Sequence, residues 1–277
     1  MKEDLGKYLA QVFDLYAERS GAAEKLAREQ CKNGSSSMAV AISALYAIWN
    51  FFQSRPAAGC VSLIVEAPTN RAIANHISWL CNSALSIRKL ALIGFEPQAR
   101  VLTRTFVEAI YQTLVIFYDH PSYLAYRKGV DAASSKDAYY VTFARKQTLH
   151  KKLQKLEDNF VNLSSAERDD QYLRRIKMLE YYSQATHSSA GHVLASALQP
   201  SDDAKLAPTI LGKYSGSTEN TLLNSSHEIC YFCMLLQFII EKVWRVEGLD
   251  QDENYNIFSD LFKLAVIFRT YKVTKNS

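Results

Sequence analysis

The chain has 277 residues, of which 48% are hydrophobic and 22% charged, with only 10 Gly and 6 Pro. That is the composition of an ordinary globular protein, long enough for one large helical domain, and the scarcity of Gly and Pro favours long uninterrupted helices over a low-complexity chain. A net charge of +4 and a pI near 8.7 tolerate an anionic partner without requiring one.

Lys2 to about Gln30 predicts a first amphipathic helix, since Leu5, Leu9, Val12, Phe13 and Tyr16 recur at helical spacing. Gly34 and the Ser35-Ser36-Ser37 run predict a break that caps a second helix, Met38 to Phe52. The uncharged stretch Asn33 to Ser54 is long enough to span a bilayer, but Ser43, Asn50 and Gln53 interrupt it. The expectation is a buried helix of a large bundle and no membrane contact. Ser54 to Asn70, with Pro56, Gly59 and Pro68, is the first irregular stretch, and its run CVSLIV suits a helix or a lone strand. Thr69 caps a third helix running to about Ile93; Gly94 ends it and Pro97 opens the fourth.

The fourth helix, Glu96 to His120, is apolar on nearly every side and is therefore expected to be buried. Yet Arg100, Arg104, Glu108 and Tyr111 are spaced to share one face. Buried charges persist only when paired and hydrogen-bonded, so this polar stripe marks either an internal network or a site. Arg104 and Glu108, four residues apart, either satisfy each other or position a third group or a phosphate.

Pro121 is expected to close the fourth helix. Asp131 to Asp158 and Ser164 to about Thr186 follow as a helical pair, the second opened by the capping box Ser164-Ser165-Ala166-Glu167. Arg145, Lys146, His150, Lys151, Lys152 and Lys155 form a run without an acid, either a solvated helix face or a phosphate-contacting patch. In YYSQATHSSAGH, Ser183 and His187 share a helix face beside Tyr182. His187 is either a cation favoured at a helix C-terminus or a general acid/base, and its spacing to His192 fits no zinc site. Gln199 to Asn220, with Pro200, Pro208, Gly212 and Gly216, is the longest loop, and helices Thr221–Val246 and Glu253–Tyr271 complete the chain. Cys230 and Cys233 have CxxC spacing inside CYFCMLLQFII and read as core thiols. Five Cys and no secretion signal point to a reducing cytoplasm. No GxGxxG, GxxxxGK[ST], HExxH or GxSxG motif occurs, which disfavours nucleotide-binding folds, zincins and serine hydrolases; neither a metal nor a cofactor is expected.

ARVLTRTFVEAIYQTL followed by YYSQATHSSAGH resembles a family of uncharacterised bacterial all-helical proteins, in which a helix with an R-T-x-x-E core precedes one ending in S-x-x-x-H. The matching positions are Arg104, Thr105, Glu108, Ser183 and His187, within about Ala72 to His192. That family is similar to the HEPN superfamily, small all-α domains of toxin–antitoxin and phage-defence systems. Many of those are metal-independent ribonucleases with an R-x(4–6)-H motif across a dimer interface; Arg145 and His150 have that spacing, although Lys146 stands where a small polar residue is usual. The resemblance implies an HEPN-like core over about residues 69–198, with an N-terminal helical extension at 1–53 and C-terminal helices at 221–271. It also implies a homodimer, and RNA or a protein as partner.

The expected fold is one all-α domain, a bundle of about seven or eight helices with a central antiparallel hairpin of Thr69–Ile93 and Glu96–His120. Arg104, Glu108 and His187 are the catalytic candidates, with Arg145 and His150 as the alternative pair. Arg100, Tyr111, Tyr182, Ser183, His192, Lys151 and Lys152 are the candidate substrate contacts. Two functions follow. One is an RNA- or nucleotide-directed enzyme in which His187 or His150 exchanges the proton of a ribose 2′-hydroxyl while Arg104 steadies the phosphate. The other is a non-catalytic interaction or sensor module in which the same residues lock the core.

Overall fold

The computed structural model describes residues 2–55, 68–129, 148–160, 165–186, 198–200, 206–208 and 214–270. Among them are nine α-helices: α1 (Lys2–Gln30), α2 (Lys32–Ser54), α3 (Asn70–Leu92), α4 (Glu96–Tyr118), α5 (His120–Gly129), α6 (Thr148–Phe160), α7 (Ser165–Thr186), α8 (Thr218–Phe238) and α9 (Glu253–Thr270). The protein is an all-α bundle. A short antiparallel ribbon, Leu198–Pro200 paired with Leu206–Pro208, occupies part of the segment expected to be loop.

The remaining elements pack around α2 and α4. The first contacts α3, α8 and α9; the second contacts α3, α5, α6, α7 and α8. The α3–α4 hairpin forms as expected. Thr69 caps α3 by accepting from the Ala72 N–H at 3.2 Å, and Gly94 turns the chain at φ 90°, a left-handed conformation open to glycine. Its antiparallel sense shows in His76, early in α3, whose ring lies edge-on to Phe117, late in α4, at 5.7 Å. Among the described residues α2 is the one helix long and apolar enough to cross a bilayer, but Met38, Leu45, Ile48, Phe51 and Phe52 are buried against the neighbouring helices.

Several local expectations change, each for a tertiary reason. The break at Gly34 and Ser35–Ser37 is absent: α2 starts at Lys32 and runs through all four residues, with Cys31 alone separating it from α1. Cys31 offers no side-chain cap. Instead the Glu219 carboxylate, in the first turn of α8, accepts from the Gly34 N–H at 3.1 and 3.2 Å. A carboxylate from another helix thus satisfies a first-turn donor of α2 and faces its positive end. Glycine permits the approach, because a Cβ at position 34 would lie 2.6 Å from Glu219 Oε2. Gly34→Ala is therefore expected to cost roughly 1–2 kcal/mol of stability, the value of a lost cap, seen as a lower urea midpoint. A raised midpoint, as helix propensity alone demands, would refute this cap.

Pro121 opens a helix where it was expected to close one. Helix α4 ends at Tyr118, Asp119 leaves helical geometry, and its carboxylate accepts from the Ser122 N–H at 3.2 Å to cap α5. Proline in a first turn lacks only an N–H that has no helical partner there. Helix α8 begins at Thr218 rather than Thr221 and gives way after Phe238 to a π-helical turn, Ile239–Val243. Arg245 then adopts a left-handed φ of 50° and Trp244 is buried. Cys230 and Cys233 are buried and not joined in a disulfide. The CVSLIV run, the part of Asp131–Asp158 before Thr148, and the start of the Ser164 capping box lie outside the described residues.

Candidate functional site

The polar stripe of α4 divides into a buried part and a half-exposed part. At the N-terminal end Arg100 is paired with Glu96, one turn earlier, through Nε at 2.9 Å and Nη2 at 2.7 Å. Glu96 is 1% exposed and also accepts from the Thr221 hydroxyl at 2.6 Å. Arg100 further donates to Ser217 Oγ at 3.1 Å and lies 4.9 Å from the Tyr181 ring centre. This ties α4 to α7 and α8 through a satisfied buried ion pair. The spacing that joins Arg104 to Glu108 also joins Glu96 to Arg100, so the sequence carried this partner unnoticed.

In the middle, Arg104 holds Glu108 at 2.6 Å, and the two side chains are 27% and 36% exposed. Arg104 Nη1 donates to the Leu179 carbonyl at 2.7 Å and to Ser183 Oγ, which itself donates to the Leu179 carbonyl at 2.7 Å. The guanidinium thus clamps α4 to the end of α7. Farther along, the buried Tyr111 hydroxyl donates to Glu228 Oε2 at 3.0 Å; burial and that neighbouring carboxylate push its pKa well above the ordinary phenol value.

His150 reaches the same region from α6. Its ring is edge-on to Tyr111 at 6.3 Å and to Tyr172 at 5.9 Å, and its Nδ1 is buried with no partner among the described residues. Burial first, and Arg175 next, hold its pKa below the ordinary histidine value, against the opposing charge of Glu108. Tyr182 is fully buried between α7 and its neighbours, with its hydroxyl pKa raised mainly by burial. Lys151 is exposed, whereas Lys152 donates to Asp119 at 2.9 Å across the α4–α5 junction. Arg145, His187 and His192 lie outside the described residues, so the proposed meeting of Glu108 with His187 does too. Among the described residues no three His, Cys, Asp or Glu side chains gather as metal ligands.

A groove that the sequence reading did not anticipate runs between α3, α4 and α5, with a volume of about 940 Å³. Thr105 and Glu108 of α4 form one wall beside Gln112; Asn75, His76 and Trp79 of α3 form the other; Tyr123, Tyr126 and Arg127 of α5 close one end. Trp79 is 44% exposed and Tyr126 37%. The His76 ring is tilted against Tyr126 at 4.9 Å, and its Nε2 is buried without a partner among the described residues. Burial depresses its pKa to about 4, so it is a neutral imidazole at physiological pH. The signal for the groove was weak: Trp79 and Tyr126 read as ordinary helix residues until α3 and α5 come together.

The chain matches no family model, no curated protein and no solved structure. Its chemistry has to be read from its own side chains. What the groove offers is two exposed aromatic faces, a set of amide, carboxylate and imidazole groups able to read polar edges, and one guanidinium.

Proposed function

We propose that the protein is an RNA- or nucleotide-binding helical module, and that the α3–α4–α5 groove is where a base is held. One juxtaposition supports this reading: Trp79 and Tyr126, both substantially exposed, line the same groove as Asn75, Gln112 and Glu108. Unstacked bases are recognised by stacking on aromatic rings and by hydrogen bonds to their edges; amides both donate and accept, and a carboxylate accepts from amino groups. Arg127, in the same groove, is suited to a phosphate. Thr105 and Glu108, two of the positions that resemble the helical family above, face this ligand, while Arg104 holds Glu108 in place. The resemblance supports a cytoplasmic, homodimeric protein of phage-defence or toxin–antitoxin type.

The stripe itself takes the other reading. Arg100, Arg104 and Tyr111 are bonded to Glu96, Leu179, Ser183 and Glu228 within the bundle, which favours a scaffold role for them over substrate contact.

The test is titration of the protein into dye-labelled single-stranded RNA octamers of each base, with the fluorescence anisotropy of the label as readout. Binding is expected for at least one octamer, and Trp79→Ala is expected to weaken it about tenfold, one stacking contact, with an unchanged unfolding midpoint. No binding by wild type, or equal binding by Trp79→Ala and Tyr126→Ala, would remove the groove from consideration.

A further inference from the structure

A second cavity, of about 270 Å³, lies where α4, α6, α7, α8 and α9 meet. It is small for a ligand site but larger than an ordinary packing defect. Arg175, on α7, lines it and is 6% exposed. Its Nη1 donates to Glu157 Oε1, which also accepts from the Tyr231 hydroxyl at 2.6 Å. Glu157 holds Arg175 by that one nitrogen. Nε and Nη2 are buried and have no partner among the described residues.

Those two nitrogens are not an arbitrary pair. In a planar guanidinium Nε–H and one Nη2–H point the same way, as parallel donors spaced to match the two oxygens of a carboxylate. Buried donors are rarely left unpaired, and here a whole recognition edge is uncommitted in a side chain that a carboxylate already fixes in place. Apolar and aromatic side chains, among them Phe160, Tyr231, Leu235 and Phe262, make up much of the remaining lining, alongside Arg174, His227 and Glu228. Met178 and Met234, half-buried and unbranched, also line the cavity, and such side chains adapt readily to a bound molecule.

Charge narrows the ligand further. The charged groups of the cavity are Arg174 and Arg175 against Glu157 and Glu228, with His227 3.4 Å from Arg174. Two carboxylates in so small a space disfavour a dianion such as a phosphate monoester. We propose that this cavity binds a small monocarboxylate with an apolar or aromatic body, its carboxylate seated on the Nε/Nη2 edge of Arg175. This site is separate from the groove and does not depend on RNA binding there.

The experiment is calorimetric titration of the full chain with benzoate, hexanoate, neutral benzamide and inorganic phosphate, with Tm followed in parallel. Benzoate or hexanoate is expected to bind saturably, one per chain, and to raise Tm, whereas benzamide and phosphate do neither. Arg175→Lys keeps the charge beside Glu157 but loses the paired edge, and is expected to weaken the carboxylate about tenfold or more. Met234→Phe leaves the Arg175–Glu157 pair intact and fills the cavity, so it decides the matter if Arg175→Lys does not fold; it is expected to abolish binding. Trp79→Ala should leave carboxylate binding unchanged. Absence of saturable binding by both carboxylates, equal binding by benzamide, or indifference to Met234→Phe would each overturn the proposal.

Discussion

Arg100→Leu is expected to destabilise the protein by about 3–5 kcal/mol, whereas Glu108→Gln, two turns along the same stripe, costs under about 1 kcal/mol. The difference is burial. Arg100 and Glu96 are 12% and 2% exposed, so removing the guanidinium strands a buried carboxylate that keeps the Thr221 hydroxyl as a donor. A loss of that size is a large fraction of the roughly 5–15 kcal/mol that keeps a domain folded. Glu108 is 36% exposed, and the glutamine oxygen still accepts from Arg104. A double variant, Glu96→Leu with Arg100→Leu, is expected to regain much of the loss, because replacing both members of a buried pair leaves no charge uncompensated. Urea unfolding of the four proteins measures all of this. An Arg100→Leu cost below about 1 kcal/mol would show that the pair does not hold α4 to α8; a Glu108→Gln cost equal to it would make the stripe structural throughout.

Acid is expected to weaken the fold well before carboxylates titrate, and His76 is the reason. Its folded pKa is about 4 against 6.5 for an ordinary histidine, because burial disfavours the imidazolium. The unfolded chain therefore takes up this proton first as the pH falls. Stability from the neutral ring is complete above about pH 6.5, declines between 6.5 and about 4, and is gone below that. The interval corresponds to roughly 3 kcal/mol. His150 is depressed in the same direction and adds to the slope. Asp119, where the opposing effect of burial is outweighed by hydrogen bonds from Ser122 and Lys152, and Glu24, which accepts from Lys89 and Arg28, have lowered pKa values and lose their contribution only at lower pH. His76→Phe keeps the aromatic contacts to Phe117 and Tyr126 and is expected to flatten the unfolding midpoint between about pH 6.5 and 5. An unchanged slope would mean that the ring is solvated.

Helix formation was legible because it depends on short-range properties. Helices α1, α3 and α9 start within a residue of their predicted positions, since apolar spacing, a threonine cap and a Gly–Pro boundary act within one or two turns. Arg104 with Glu108 was legible for the same reason. The misjudged points are those where a distant group changes the local outcome. Gly34 and three serines read as a break, yet Glu219, 185 residues away, caps them into α2. Pro121 read as a stop, and the aspartate immediately ahead of the new helix made it a start.

The amino-acid sequence by itself determined that this is an all-α protein and that a polar stripe runs along the otherwise apolar helix α4. Tertiary structure decided what the polar groups do. Tyr111 meets Glu228 from 117 residues away, Arg175 meets Glu157 through one nitrogen only, and Trp79 and Tyr126 share a groove because α3 and α5 both pack on α4. Periodicity and capping are set within a helix by its 3.6-residue turn, whereas a buried polar group takes its partner from whichever helix the packing brings against it.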